Sequence, residues 1–342
     1  MKKIIIIGAG AMGSAFGVPC LDNKNDVTIV GTHLEDELIE NINSNDHIHP
    51  ALKTKLPKEI KFERFEKLQT ILKENIDIIV CGVSSIGIEW FVNQISKNYK
   101  DKLPIVLLTK GLSIVDNELT TLSDKIKNLL KKEGRSEINI SAIKGPCLAA
   151  GLANKMRTGT VIANQNIKES QFLKDIISTN YYSTEISEDI TGVELSGAIK
   201  NIYSMLIGAS EGLSNSEASK EIQSKYFLNT AASLIHRSIS EMVEFVSYYG
   251  GKPETVYGLA GLGDLYVSAI GGRNSLMGKY LGEGHLYSDA KEKFMKDITV
   301  EGAQLALEIG PRILEDLNSK NFPLMFSMLK TICENKKLQI EW

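Results

Sequence analysis

The chain has 342 residues, 43% hydrophobic and 24% charged, with a formal net charge of −3. The composition is that of a soluble globular protein, and the slightly negative balance offers no global basic field for nucleic acid. No run approaches the roughly 20 apolar residues that a membrane helix requires, so neither nucleic-acid binding nor membrane insertion is expected.

The chain opens with "MKKIIIIGAGAMG". Two lysines and an apolar run resemble a signal peptide, but four isoleucines before a glycine are too short for its apolar core. The run instead predicts a buried strand, "KIIIIG" over 3–8. Gly8, Gly10 and Gly13 follow as GxGxxG, in the strand–turn–helix setting that motif requires. Gly8 permits the tight turn, Gly10 lets the backbone approach a pyrophosphate, and Gly13 allows close helix packing. The helix N-terminus adds N–H groups and partial positive charge for the phosphates. A dinucleotide, NAD or NADP, is the expected cofactor. Pro19 predicts an early end or kink in this helix.

The second strand, "DVTIVG" (26–31), should lead to the residue that reads the ribose. An acid there favours NAD, and a nearby arginine favours NADP. Thr32 and His33 take the position, while Glu35 and Asp36 come slightly late. Either Thr32 or His33 can hydrogen-bond a ribose hydroxyl or a 2′-phosphate, so the preference between the two cofactors stays open.

The two-proline stretch 44–62 reads as a loop leading into a short strand. Apolar strands over 76–83, 104–110, 138–145 and 159–164 then alternate with helices such as "IGIEWFVNQISKNY" and "NELTTLSDKIKNLLKKE". Uniformly apolar strands between helices predict a Rossmann-like, doubly wound parallel sheet covered on both faces. From about Asp189 helical patterns take over. The division is an α/β dinucleotide-binding domain over 1–188 and an all-α substrate and catalytic domain over 189–342. Cys20, Cys81, Cys147 and Cys333 are scattered without metal spacing and read as free thiols of a reducing cytoplasm. An apolar helical second domain is compatible with a homodimer.

Within "ELSGAIKNIYSMLIGAS" (194–210), Lys200 is the only charged side chain between Leu195 and Ser210. Lysine is rarely buried without a partner, and apolar surroundings disfavour its ammonium form. That is the tuning a proton donor near neutral pH needs. Elsewhere, Lys110 stands at the carboxyl end of a strand, the edge where ligands bind open α/β sheets. Gly145, Pro146 and Cys147 make a turn after the next strand. Asp264 is the one acid in "GLAGLGDL", and Arg273 and Asn274 follow in "GGRN". Each alone has a plain reading: a solvated strand end, a helix cap, a surface arginine.

Taken together and in this order, "GAGAMGSA", "TKGL", "KGPCLA", "ELSGAIKN", "GLAGLGDL", "RN" and "VEGAQLA" resemble the blocks of the NAD(P)-dependent glycerol-3-phosphate dehydrogenase family. The resemblance runs through nearly the whole chain. It implies reversible hydride transfer between NAD(P)H and dihydroxyacetone phosphate to give sn-glycerol 3-phosphate, feeding glycerophospholipid synthesis in the cytoplasm. It implies Lys200 as the proton donor and acceptor at the substrate C2 oxygen, with Lys110 and Asp264 beside it in catalysis. The phosphorylated small-molecule substrate would meet Lys110, Gly145, Cys147, Lys200, Asp264, Ser268, Arg273 and Asn274. The cofactor would meet Gly8, Gly10, Ala11, Met12, Gly13, Thr32, His33, Lys110, Ala149, Arg273, Thr299 and Glu301.

The chain departs from the family pattern at several of these blocks: Lys144 precedes Gly-Pro where serine is usual, Cys147 stands for serine or threonine, and Gly272 replaces the serine before Arg-Asn. A different two-domain ketone reductase, ketopantoate-reductase-like, a β-hydroxyacid dehydrogenase or one acting on a related polyol phosphate, shares the same plan. A nucleotide-binding module without turnover is the third reading. The phosphate-reading "RN" pair and the retained Lys200 and Asp264 favour the first.

Overall fold

Alternation along four isoleucines organises the N-terminal half. In a computed structural model, Ile4 and Ile6 enter the core on one face of the main sheet, and Ile5 and Ile7 enter the core on the other. That is the period-two geometry of a strand buried on both sides. The structure describes residues 1–100, 102–217 and 220–341, with side chains described outside 215–226.

The strands are β1 (Lys3–Ile7), β2 (Asp26–Val30), β3 (Ile48–His49), β4 (Thr54–Lys55), β5 (Lys61–Glu63), β6 (Ile78–Cys81), β7 (Ile105–Leu107), β8 (Leu112–Val115), β9 (Glu118–Thr121), β10 (Ile140–Lys144), β11 (Thr158–Ala163) and β12 (Tyr182–Ser187). Eight of them form one sheet in the order β12-β11-β10-β7-β6-β1-β2-β5, while β3-β4 and β8-β9 are separate hairpins. β1 lies between β2 and β6, parallel to both, as a doubly wound fold requires.

Four local expectations change. The sheet is not wholly parallel, because β11 runs antiparallel to β10. Between them lies only the five-residue helix Ala149–Ala153. That helix rises about 7.5 Å, whereas five-residue β10 spans roughly 17 Å, so the connection cannot carry the chain back to the far end of the sheet. Next, the residues from Asn117 do not begin a helix. Asp116 and Asn117 both have positive φ, 51° and 66°, and form the tight turn of the β8–β9 hairpin, so the helix starts at Leu122. Paired positive-φ residues are the requirement of a two-residue hairpin turn. Third, the expected strands end at 159–164, but the sheet gains one more, the edge strand β12, parallel to β11, whose mixed polar sequence carries little strand signal. Finally, the glycine-loop helix runs unbroken through Pro19, over Ala11–Asp22.

The chain falls into two compact units: Met1–Lys110 with Leu122–Ile190, and Gly111–Thr121 with the chain from Thr191 onward. The β8–β9 hairpin is thus grouped with the helical unit, where Leu112 enters the same core as Ile199, Ile202 and Leu206. Two long helices, Ile190–Glu217 and Lys220–Tyr248, carry much of that unit. Glycines let its helices cross closely. A Cβ on Gly208 would lie 2.2 Å from Ser275 O, and one on Gly278 would lie 1.9 Å from Met205 O. The Ile190–Glu217 and Arg273–Gly282 helices therefore touch backbone to backbone. The Glu301–Asp316 helix joins them in the same way, since a Cβ on Gly302 would lie 2.4 Å from Asn201 O.

Candidate active site

In the sheet unit, the chemistry-bearing residues gather at the carboxyl edge of the strands. Gly8 has φ of +111°, and a Cβ there would lie 2.8 Å from Gly82 C. A Cβ on Gly13 would lie 2.3 Å from Gly8 O. Both positions need glycine for close approach, the first also for its backbone conformation. Gly10 differs: the nearest atom to its Cβ position is Glu35 Oε1 at 3.8 Å, which leaves room beside the backbone. The Ala11–Asp22 helix has no side-chain cap and no acid in its first turn. Its first N–H groups carry no side-chain competitor for an anion. These residues fit the pyrophosphate of a dinucleotide.

Around the loop, Ala11, Met12, Cys147 and Ala149 pack on the same core. Lys110 follows β7 and donates from Nζ to Gly145 O at 3.4 Å; Lys144 in β10 donates from Nζ to Leu107 O at 3.2 Å. Each strand end thus sends a lysine to the backbone of the other. Gly145 itself has φ of +141°, so the Gly-Pro-Cys turn depends on glycine there. Thr32 is half-buried. His33 is exposed and lies with its ring 5.3 Å from that of Trp90.

In the helical unit, Lys200 and Asp264 are both buried, 3% and 2% exposed, and Lys200 Nζ donates to Asp264 Oδ1 at 2.9 Å. Lys200 Nζ also donates to Ser268 Oγ. The glycine-rich stretch explains this arrangement. Leu259–Gly263 is one π-helical turn, closed by Gly263 N–H to Gly258 O, and a Cβ on Gly261 would lie 2.1 Å from Val256 O. The turn leads into the Asp264–Ala269 helix, on which Asp264 and Ser268 are four residues apart and share a face. Such π-turns recur at functional sites. Asp264 is therefore a partner for Lys200 rather than a helix cap, and the two buried groups lie as an ion pair.

Asn201, which no sequence motif singles out as a site residue, links three elements. Asn274 donates from Nδ2 to Asn201 Oδ1 at 2.9 Å and accepts from the Gly302 N–H at 2.9 Å. Asn201 Nδ2 donates to Glu301 Oε2 at 3.5 Å, and Arg273 Nη2 donates to Glu301 Oε1 at 3.0 Å. Arg273 and Glu301 are exposed; Asn274 is buried. Lys200, Asp264 and Ser268 thus form one cluster, and Asn201, the next residue in the chain after Lys200, centres a second with Asn274, Glu301 and Arg273. Thr299 is exposed and stands two residues before Glu301. Nothing local marks Asn201, because Glu194, Ser196, Ser204 and Ser210 are further polar side chains of the same helix.

A glycine loop opening a mostly parallel sheet, with a separate helical unit that buries a lysine–aspartate pair, defines a two-part dinucleotide-dependent dehydrogenase. Models of the NAD-dependent glycerol-3-phosphate dehydrogenase N-terminus and C-terminus match residues 3–170 and 189–341. The chain belongs to that family. It is similar to the NADP(+)-dependent glycerol-3-phosphate dehydrogenase of Archaeoglobus fulgidus, 33% identical over 338 residues, covering 98% of this chain and 96% of that one. The glycerol-3-phosphate dehydrogenase [NAD(P)+] of Mesoplasma florum is 31% identical over 334 residues, covering 96% and 93%. Among solved structures, glycerol-3-phosphate dehydrogenase from Coxiella burnetii matches with a TM-score of 0.79 at 25% identity, covering 99% of this chain and 96% of that one.

Proposed function

We propose that this chain is an NAD(P)-dependent glycerol-3-phosphate dehydrogenase that interconverts dihydroxyacetone phosphate and sn-glycerol 3-phosphate. The observation that carries the reading is the buried Lys200–Asp264 pair with Ser268, followed in the chain by Asn201 with its partners Asn274 and Glu301, in a chain with the family's relatives. A bound nicotinamide supplies or accepts the hydride. Reduction places negative charge on the C2 oxygen of the substrate, and Lys200 Nζ gives that oxygen a proton; in the oxidising direction Lys200 takes the proton back. Asp264 holds the amine in place through its hydrogen bond, and Ser268 orients it. Arg273 offers its guanidinium to the substrate phosphate, and Asn274 adds a donor. On the cofactor side, Gly8, Gly10 and Gly13 shape the loop, Ala11 and Met12 begin the helix over the pyrophosphate, and Thr32 or His33 meets the adenosine ribose. Lys110, with Gly145 and Cys147, lines the substrate's approach, and Ala149, Thr299 and Glu301 contact cofactor.

We assign the dinucleotide-binding role to 1–188 and the substrate and catalytic role to 189–342. A homodimer, a cytoplasmic location and the supply of glycerol phosphate for glycerophospholipids complete the proposal. The test is spectrophotometric: oxidation of NADH and of NADPH is followed with dihydroxyacetone phosphate and with matched non-phosphorylated ketones. Turnover specific to the phosphorylated ketone is expected. Preferred turnover of a non-phosphorylated 2-keto acid would transfer the chain to a different ketone reductase. Light scattering of the purified protein reads the dimer.

A further inference from the structure

The peptide groups of Ala9, between the first two loop glycines, are held from several directions. Its N–H donates to Glu35 Oε2 at 3.0 Å, and that same oxygen accepts the Thr32 N–H at 2.8 Å. Its carbonyl accepts from Ser14 Oγ at 2.9 Å and lies 3.0 Å from His49 Nε2. His49 ends β3 and is 1% exposed. Its other ring nitrogen, Nδ1, accepts the Leu52 N–H at 3.3 Å. The tautomer follows: a nitrogen that accepts carries no proton, so Nε2 is the N–H and donates to Ala9 O. The segment that brings His49 here, which reads as a plain loop in the sequence, is anchored by Leu52, Leu56 and Ile60 in the same core as Ala9 and Ile6.

A dinucleotide loop works by presenting N–H groups, and a carbonyl turned toward a pyrophosphate would repel it. The Ala9 carbonyl is committed to two donors, one of them a buried neutral imidazole. We infer that His49 is a positioning residue for the dinucleotide loop: its Nε2–H holds the Ala9 carbonyl so that the Gly10 backbone and the helix N-terminus stay ordered for the cofactor phosphates. The inference rests on the loop being the dinucleotide site.

The test measures binding rather than turnover. NADH and NADPH are titrated by fluorescence into wild-type protein, His49→Leu and His49→Gln, each checked for folding by thermal melting. Leucine removes the donor, and glutamine retains one. His49→Leu should raise Kd for the better-bound cofactor roughly tenfold, the worth of about one hydrogen bond, and His49→Gln should stay within about threefold of wild type. A folded His49→Leu with wild-type Kd overturns the inference while leaving the dinucleotide site intact. Wild-type protein that binds neither cofactor overturns the dinucleotide reading itself. Should His49→Leu not fold, 15N NMR of the wild-type ring decides: the Nε2–H tautomer is expected, and an Nδ1–H ring overturns the assignment.

Discussion

Lys200 is the residue on which the proposed chemistry turns, and its burial makes two effects separable. Replacing one member of a buried ion pair leaves the other charge unpaired, which costs about 3–5 kcal/mol. Lys200→Ala should therefore lose stability as well as turnover, the latter by roughly 10²–10⁴-fold or more. The double variant Lys200→Ala with Asp264→Asn should regain much of the stability and none of the activity. Urea denaturation and the cofactor assay, run on the same samples, check both halves; recovered turnover in the double variant would remove Lys200 from the proton step. The thiols give a second residue-scale prediction. Burial pushes the Cys81 thiol up to about 12 and raises Cys20 as well, and both are fully buried. In native protein at neutral pH a thiol reagent should label Cys147, which is half-buried, and leave Cys20 and Cys81 unlabelled until the chain unfolds. Peptide mapping after labelling reads this out.

At the scale of elements, glycine contacts between helices hold the cluster's parts together. Gly278 and Gly208 let the Ile190–Glu217 and Arg273–Gly282 helices meet at backbone distance, and that contact is what puts Asn274 against Asn201. Gly278→Ala places a methyl 1.9 Å from Met205 O, so its cost should reach or exceed the upper end of the roughly 1–3 kcal/mol usual for overpacking. Gly151→Ala is the control, because its Cβ meets nothing closer than Met156 Cβ at 3.9 Å; it should be neutral or slightly stabilising. Chemical denaturation of the two variants separates them. The β8–β9 hairpin shows how an element escapes a reading by periodicity. "NELTTLSDKIKNLLKKE" has helical spacing overall, yet Asp116 and Asn117 take positive φ and its first residues pair as a strand. The Asp-Asn pair before it was the available turn signal.

For the whole molecule, the consequence is a chain that leaves the sheet unit and returns. Residues 111–121 are grouped with the helical unit, and Leu112 is fully buried in its core. A fragment spanning 1–190 therefore carries an apolar hairpin without the core that covers it. Such a fragment should self-associate, and a version with 111–121 replaced by a short glycine–serine loop should run as a monomer with retained secondary structure. Size-exclusion chromatography with circular dichroism compares the two. Equal behaviour would show that the hairpin does not depend on the helical core.

The sequence by itself determined what short-range periodicity and backbone sterics decide: the strand–glycine loop–helix, the parallel character of most of the sheet, the change to helices near Asp189, and Lys200 as an isolated charge. Ordered motifs carry the resemblance to the family. Tertiary structure alone decided which distant groups meet. Lys200 and Asp264 are 64 positions apart, and no local pattern encodes their 2.9 Å contact. The bridging Asn201 and the His49 ring under the glycine loop were equally invisible, because a polar side chain in a loop or helix reads as solvated until its buried partner is known. The direction of β11 depended on how far a five-residue helix can carry the chain. Local rules set the elements; burial and partner geometry over long sequence separations set the site.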